Sequence, residues 1–256
     1  MNNFKKVGLT ALAGALVSVS ANAAEVTMSG SASINFAGQE ETTQGNGWTM
    51  SEGITFGMTG ELDNGWTVSV SQVLNGDDVA TEVFDTRTMT IDMGDTGSLV
   101  FAANGGSSVL DAWDDVTPTA GEEAWDDVDG ASGGPGGTGG GNMFTYSNSS
   151  LMDGLNAQVS YTPSNGTTEE GSSSDYGVTY TGVEGLTVRA GSGTDDSDTS
   201  ATVETNIIAA TYAMDAFTVG YQTSEDDSET ASADIDFEAF GISYAVSEEL
   251  SVSINS

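Results

Sequence analysis

The chain has 256 residues, 39 of them acidic and four basic, with no histidine and no cysteine, for a formal net charge of −35. Such a balance excludes a nucleic-acid partner, because neutralising phosphates needs Lys or Arg, and excludes docking on anionic lipid through basic patches. The missing imidazoles and thiols rule out disulfides and most metal-site and general-base schemes, so the chain is read as not an enzyme, with no catalytic, cofactor-binding or metal-ligating residue.

Residues 1–23 carry the pattern of a secretory signal peptide. Lys5 and Lys6 form a basic start, Val7 to Val19 is an apolar run of small residues, and Ala21-Asn22-Ala23 fits the small-residue cleavage rule. The run is too short for a membrane-spanning helix. Cleavage before Ala24 leaves Arg87 and Arg189 against all 39 carboxylates, a net of −37. No later stretch is long and apolar enough for a helical span either, which leaves open a barrel, whose strands give a far weaker hydropathy trace.

From there apolar residues fall at period two. Val26, Met28, Gly30, Ala32, Ile34 and Phe36 alternate with Thr27, Ser29, Ser31, Ser33 and Asn35, eleven residues, the length of a tilted membrane strand. Met50, Ile54, Phe56, Met58 and Leu62 form the second such segment, interrupted by Glu52, and Asp63-Asn64-Gly65 turns into Trp66, Val68 and Val70. Met89, Ile91 and Met93 lead through Gly94–Gly97 to Leu99, Phe101 and Ala103. After a long interval come Phe144 and Tyr146, then Leu155 to Tyr161, Tyr176 to Tyr180 and Leu186 to Ala190. Ile208 to Tyr212, Phe217 to Tyr221, Phe240 to Val246 and Leu250 to Ile254 complete thirteen predicted strands.

The connections sort into two kinds. Short turns fall at Asp63–Gly65, Gly94–Gly97, Gly182–Gly185, Met214–Ala216 and Ser247–Glu249. Long acidic loops occupy 38–48, 75–85, 104–142, 162–175, 191–203 and 223–236. A transmembrane barrel sorts its loops this way, short on the periplasmic side and long outside, whereas a soluble sandwich has no reason to. Tyr146, Tyr161, Tyr176, Tyr180, Tyr212, Tyr221 and Tyr244 share the apolar parity, several near strand ends, as interfacial girdles require. The opposite parity is almost wholly Thr, Ser, Asn, Gln and Gly and is expected to face water inside.

The interval 104–142 is the longest without alternation. It holds Asp111, Asp114, Asp115, Glu122, Glu123, Asp126, Asp127 and Asp129 and no basic residue. Ala112-Trp113-Asp114-Asp115-Val116 recurs as Ala124-Trp125-Asp126-Asp127-Val128, and a glycine-rich run over Gly133–Gly141 follows. Loops this long are functional or disordered, and the tryptophans favour packing. Val109, Trp113 and Val116 stand at helical spacing, which predicts a short helix pinning the loop to a wall. Carboxylates held in a narrow aqueous constriction concentrate cations and exclude anions. These eight are the candidate constriction-loop residues. Arg189, on the polar parity beside Thr187, is the candidate cation of the pore wall, while Arg87 shares the parity of Met89 and Ile91 and is expected to snorkel at its strand's outer end.

With those features the chain resembles a Gram-negative outer-membrane porin of the trimeric general-diffusion type, over Ala24 to the end. The start Val26-Thr27-Met28-Ser29-Gly30, the hairpin rhythm and a long third outer loop after the fifth strand carry the resemblance. It implies an all-β antiparallel transmembrane barrel of sixteen strands, an inward-folded third loop, and a homotrimer among outer-membrane lipid and lipopolysaccharide. The implied activity is passive diffusion of small hydrophilic solutes and ions through a water-filled channel. Two departures stand out. Thirteen strands end at Ser256 without the family's terminal aromatic residue, so residues 24–256 are expected to be a barrel incomplete at the C-terminal end, and no arginine cluster faces the loop.

No cofactor is expected. Asp195-Asp196-Ser197-Asp198, Glu225-Asp226-Asp227 and Asp126-Asp127-Val128-Asp129-Gly130 are oxygen-rich but lack the twelve-residue calcium-loop pattern, so only weak calcium or magnesium binding by outer loops is expected. Two other readings remain at this stage: a surface structural or adhesive β-protein whose acidic loops bind divalent ions or partners, and a secreted β-sandwich.

Overall fold

The computed structural model describes residues 7–9, 25–36, 48–75, 84, 86–114, 116–119, 139–164, 171–196, 202–229, 234–247 and 250–256. Among the described residues the protein is all-β, with thirteen antiparallel strands longer than three residues. It divides into two compact units, Met1–Asp92 with Ala102–Gly105, and Met93–Phe101 with Gly106–Ser256.

The first unit contains β1 (Glu25–Phe36), β2 (Trp48–Glu61), β3 (Thr67–Asn75) and β4 (Thr86–Asp92). They pair as successive hairpins, Val26 opposite Met58, Met58 opposite Val70, and Val70 opposite Met89. Like therefore meets like on each face, which fixes the register, since a one-residue slip would turn every apolar side chain to the wet side. The β2–β3 turn is closed by Gly65, at φ 81°, whose N–H donates to the Leu62 carbonyl, while the Trp66 N–H donates to Asn64 Oδ1. Val7–Leu9, inside the leader-like segment, pairs with Ile34–Ala32 of β1.

β5 (Ser98–Asn104) leads into the second unit, which contains β6 (Met143–Met152), β7 (Leu155–Thr162), β8 (Ser173–Val183), β9 (Leu186–Asp195), β10 (Val203–Met214), β11 (Phe217–Ser228), β12 (Ile235–Ser247) and β13 (Leu250–Asn255). From β6 to β13 each strand pairs antiparallel with the next. At the β10–β11 turn Asp215 adopts φ 51°, a left-handed conformation that Asp tolerates better than most residues.

Burial along these strands inverts the rule for water-soluble proteins. Tyr176 and Val178 of β8 are exposed while Ser173, Asp175 and Gly177 are buried. In β11 Val219 and Tyr221 are exposed, and Gly220, Gln222, Ser224 and Asp226 are buried. Ile208 is 60% and Tyr176 61% exposed. Leaving one such side chain in water forfeits about 1.5–3 kcal/mol, and the pattern repeats on strand after strand, so the apolar face needs a nonaqueous medium. A sandwich core would have buried those residues and exposed the polar ones.

The strands run further than the apolar alternation predicts. β9 continues to Asp195, β10 begins at Val203 and β11 reaches Ser228, all inside intervals expected to be loop. Hydrogen bonding carries the ladder past the last lipid-facing apolar residue. Beyond Ile208, Tyr221 and Phe240 the outward face bears Glu204, Glu225, Asp227, Asp236 and Glu238, with Glu204 opposite Asp227 and Glu225 opposite Asp236. Carboxylates so placed must stand in water, so the hydrocarbon boundary falls between the aromatic residues and the acidic ones.

Candidate functional site

Between β5 and β6 the chain turns back over the polar face of the second unit. Gly106–Ser107 and Gly139–Gly140 form a two-residue antiparallel ribbon, Gly106 opposite Gly140 and Ser107 opposite Gly139, at the base of the long loop. The segment 108–119 that follows lies on the wall as a strap. The helical spacing of its apolar residues yields a single 3-10 turn, Asp111–Trp113, rather than an α-helix. The Trp113 N–H donates to the Leu110 carbonyl, and the Asp111 N–H donates to Ser108 Oγ. The turn places Val109, Leu110 and Trp113 on one side, where they form a cluster with Ile207 of β10 and the partly buried Val116.

The strap touches seven strands in succession. The Val109 N–H donates to Ser160 Oγ of β7 at 2.7 Å, and the Leu110 N–H reaches Asp175 Oδ2 of β8 at 3.4 Å. The Trp113 ring lies over Gly177 of β8 and Gly191 of β9, positions where a side chain would collide with it. Gln222 of β11 bonds three strap backbone groups: its Oε1 accepts from the Val116 N–H at 3.2 Å, and its Nε2 donates to the Trp113 and Asp114 carbonyls at 3.1 and 3.0 Å. Pro118 rests on Gly220 of β11 and Gly241 of β12, and its carbonyl accepts from Asn255 Nδ2 of β13 at 3.0 Å.

Chain length turns these contacts into a statement about curvature. Crossing from β7 to β13 along a flat sheet takes six strand spacings, about 29 Å. Ten residues from Val109 to Pro118 reach roughly 30 Å only when fully extended, and the 3-10 turn shortens them. The sheet of this unit therefore curls around the strap, which cuts a chord across its polar side.

The described members of the acidic set sit on that strap. Asp114 is exposed and Asp111 half-buried, so Asp114 projects to the solvent side of a segment whose opposite side is packed on the wall. Asp115, Glu122, Glu123, Asp126, Asp127 and Asp129 lie outside the described residues, as does the second Ala-Trp-Asp-Asp-Val copy. Arg189 of β9 stands opposite Thr179 and Ala209 and shares the parity of Gly191 and Gly193, which meet the strap; it is on the polar face. Arg87 shares the exposed parity of Met89.

Sequence reasoning did not single out the wall residues that receive the strap: Ser160, Asp175, Gln222, Asn255 and the paired glycines. Two signals for them are present. Gly177 faces Gly191 and Gly220 faces Gly241 directly across strands, on the polar parity, where nothing else requires a missing side chain. Ile207 breaks the parity of its strand and meets the strap's apolar side.

A sheet that exposes its apolar face, keeps its polar face on the opposite side and carries a strap across it is the wall of a transmembrane β-barrel channel. The chain belongs to the Gram-negative porin family, whose pattern matches residues 8–256. Among solved structures it is similar to Salmonella typhi OmpF in complex with daunomycin, at 13% identity and a TM-score of 0.56, over 87% of this chain and 74% of that one. A double mutant and a triple mutant of the Rhodopseudomonas blastica porin each match at 14% identity and a TM-score of 0.50, over 90% of this chain and 94% of theirs. No curated protein sequence matches the chain. The family is one of non-enzymatic outer-membrane channels, which sets aside the adhesive and sandwich readings.

Proposed function

We propose that this porin is a passive, cation-preferring channel for small hydrophilic solutes and ions, narrowed by the strap and by the acidic residues that follow it. The position of Asp114 carries the reading: it is exposed on the polar face, on a strap anchored to the wall, with Asp111 three residues before it. Arg189 is the only basic side chain on that face among the described residues. Fixed negative charge beside a water path with low-dielectric walls raises the local cation concentration. The preference is moderate, since salt screens charges beyond roughly 8–10 Å at physiological ionic strength. Asp115, Glu122, Glu123, Asp126, Asp127 and Asp129 add to the same field under this reading.

The working form under this proposal is a homotrimer of chains cleaved before Ala24, embedded in outer-membrane lipid and lipopolysaccharide. Cleavage would release the pairing of Val7–Leu9 with β1, and sequencing the N-terminus of the purified protein tests it. The channel needs no cofactor, and its outer loops bind calcium or magnesium only weakly; a calcium titration that leaves thermal stability unchanged removes that binding. The decisive measurement is the reversal potential of the purified porin in a planar bilayer under a potassium chloride gradient. A value on the potassium side, reduced in an Asp111→Asn/Asp114→Asn variant, is the expected result. A value on the chloride side overturns the proposal.

A further inference from the structure

The strap is held at each of its two ends by side chains of the wall. Ser160 and Asp175 take the N–H groups of Val109 and Leu110, and Asn255 takes the carbonyl of Pro118. Between Leu110 and Pro118 the chain makes its turn and presents Asp114 to the water. There, among the described residues, Gln222 reaches the backbone from the wall. It is 0% exposed, and each of its polar atoms is used: the oxygen on the Val116 N–H, the two amide hydrogens on the Trp113 and Asp114 carbonyls.

We propose that Gln222 is the positioning residue of the constriction: it fixes Trp113, Asp114 and Val116 against β11 and thereby sets where the Asp114 carboxylate stands in the water path. The proposal rests on the cation-preferring channel reading and deepens it. The chemistry requires a primary amide. A strap crossing a wall offers alternating carbonyl and N–H groups, and only Asn or Gln presents an acceptor and two donors on one planar group. The neighbours of Gln222 on the same face of β11 are Thr218, Gly220, Ser224 and Asp226, none of which carries that combination. Leucine of similar volume would keep the packing but strand three backbone groups, and each buried group left without a partner favours a conformation in which water can reach it. The strap middle then lifts from the wall while its ends hold.

The test uses the full-length porin reconstituted in planar bilayers, comparing the parent with Gln222→Leu, Gln222→Ser, Asp114→Asn and the Gln222→Leu/Asp114→Asn double variant. In Gln222→Leu, open-channel current noise should rise about twofold or more as the strap samples several positions. Asp114→Asn should lower the potassium-to-chloride permeability ratio by about twofold in the parent and by much less in the Gln222→Leu background, a coupling between two residues joined through one turn. Equal effects of Asp114→Asn in both backgrounds, with parental noise in Gln222→Leu, overturn the proposal even if Gln222→Leu lowers thermal stability, because a merely structural role would move stability alone. If Gln222→Leu does not fold, the same comparison with Gln222→Ser decides. A parent without cation preference defeats the channel reading, while the noise of the Gln222 variants still decides whether the residue holds the strap.

Discussion

Gly177 and Gly191 stand directly opposite each other on β8 and β9, and the indole of Trp113 occupies the space both leave empty. A Cβ on Gly177 would lie 2.4 Å from Trp113 Cη2, and one on Gly191 would lie 2.7 Å from Leu110 Cδ2 and 2.9 Å from Trp113 Cζ3. Both positions are ordinary β-strand backbone. At Gly177 the nearest atoms all belong to the strap, so a valine there is opposed by the strap alone, whereas at Gly191 the Tyr176 carbonyl oxygen at 3.0 Å opposes it as well. Gly177→Val is expected to cost about 1–3 kcal/mol by overpacking and to shift single-channel conductance by displacing Trp113. Gly53→Val in β2, where the nearest atom to a new Cβ is the Leu74 carbonyl oxygen at 3.6 Å, is the matched control and should leave conductance at the parental value. Bilayer conductance and urea unfolding of the two variants check the contrast.

Arg189 lies on the polar face, and its charge opposes the preference that the strap's carboxylates create. At about 8 Å in water a unit charge is worth roughly 0.5 kcal/mol to a passing ion, a factor of about two in occupancy. The charge acts in opposite senses on the two ions, so Arg189→Gln should raise the potassium-to-chloride permeability ratio by up to about fourfold at low salt, with the reversal potential moving further to the potassium side. Arg87→Gln, on the exposed face beside Met89, should leave it unchanged.

The strands were legible because hydrocarbon on one side and water on the other impose period two, which needs no knowledge of partners. All thirteen predicted strands are found, and their wet-side ends were misjudged because a ladder of Ser, Thr and Asp in water carries no apolar signal. The strap was legible as an acidic interval with a packed tryptophan, yet its landing points were not. Gln222, Ser160 and Asn255 are ordinary polar-parity residues in the sequence, and only the chord taken by residues 109–118 brings side chains on β7, β11 and β13 to one segment. Ile207 was overlooked because Ile208 beside it satisfies the apolar parity alone.

Glu225 and Asp236 are direct cross-strand partners at the outward, watery ends of β11 and β12. Like charges so placed are destabilising, and an opposite-charge pair contributes about 0.2–1 kcal/mol. Asp236→Lys should accordingly raise the unfolding midpoint in low salt. The gain should shrink as ionic strength rises towards about 1 M, where screening acts within roughly 3 Å. A thermal melt in detergent at two salt concentrations reads both effects.

Ile242 and Ser243 are neighbours in β12 that face opposite media, and charging each in turn separates a barrel wall from any soluble alternative. Ile242 is exposed and pairs with Val219, between the aromatic residues Phe240 and Tyr244 that flank it on the same face. An arginine there has to enter hydrocarbon, a cost of about 2–4 kcal/mol near the bilayer midplane. Ser243 pairs with Thr218 on the polar face, where an arginine meets water at no comparable cost. Ile242→Arg should thus lose stability in lipid vesicles with its conductance unchanged once folded. Ser243→Arg should keep its stability and move the reversal potential towards chloride. In a water-soluble sheet the order would reverse, since the exposed position would accept the charge and the opposite face would have to bury it. Urea unfolding in vesicles, read beside bilayer recordings, distinguishes the two cases.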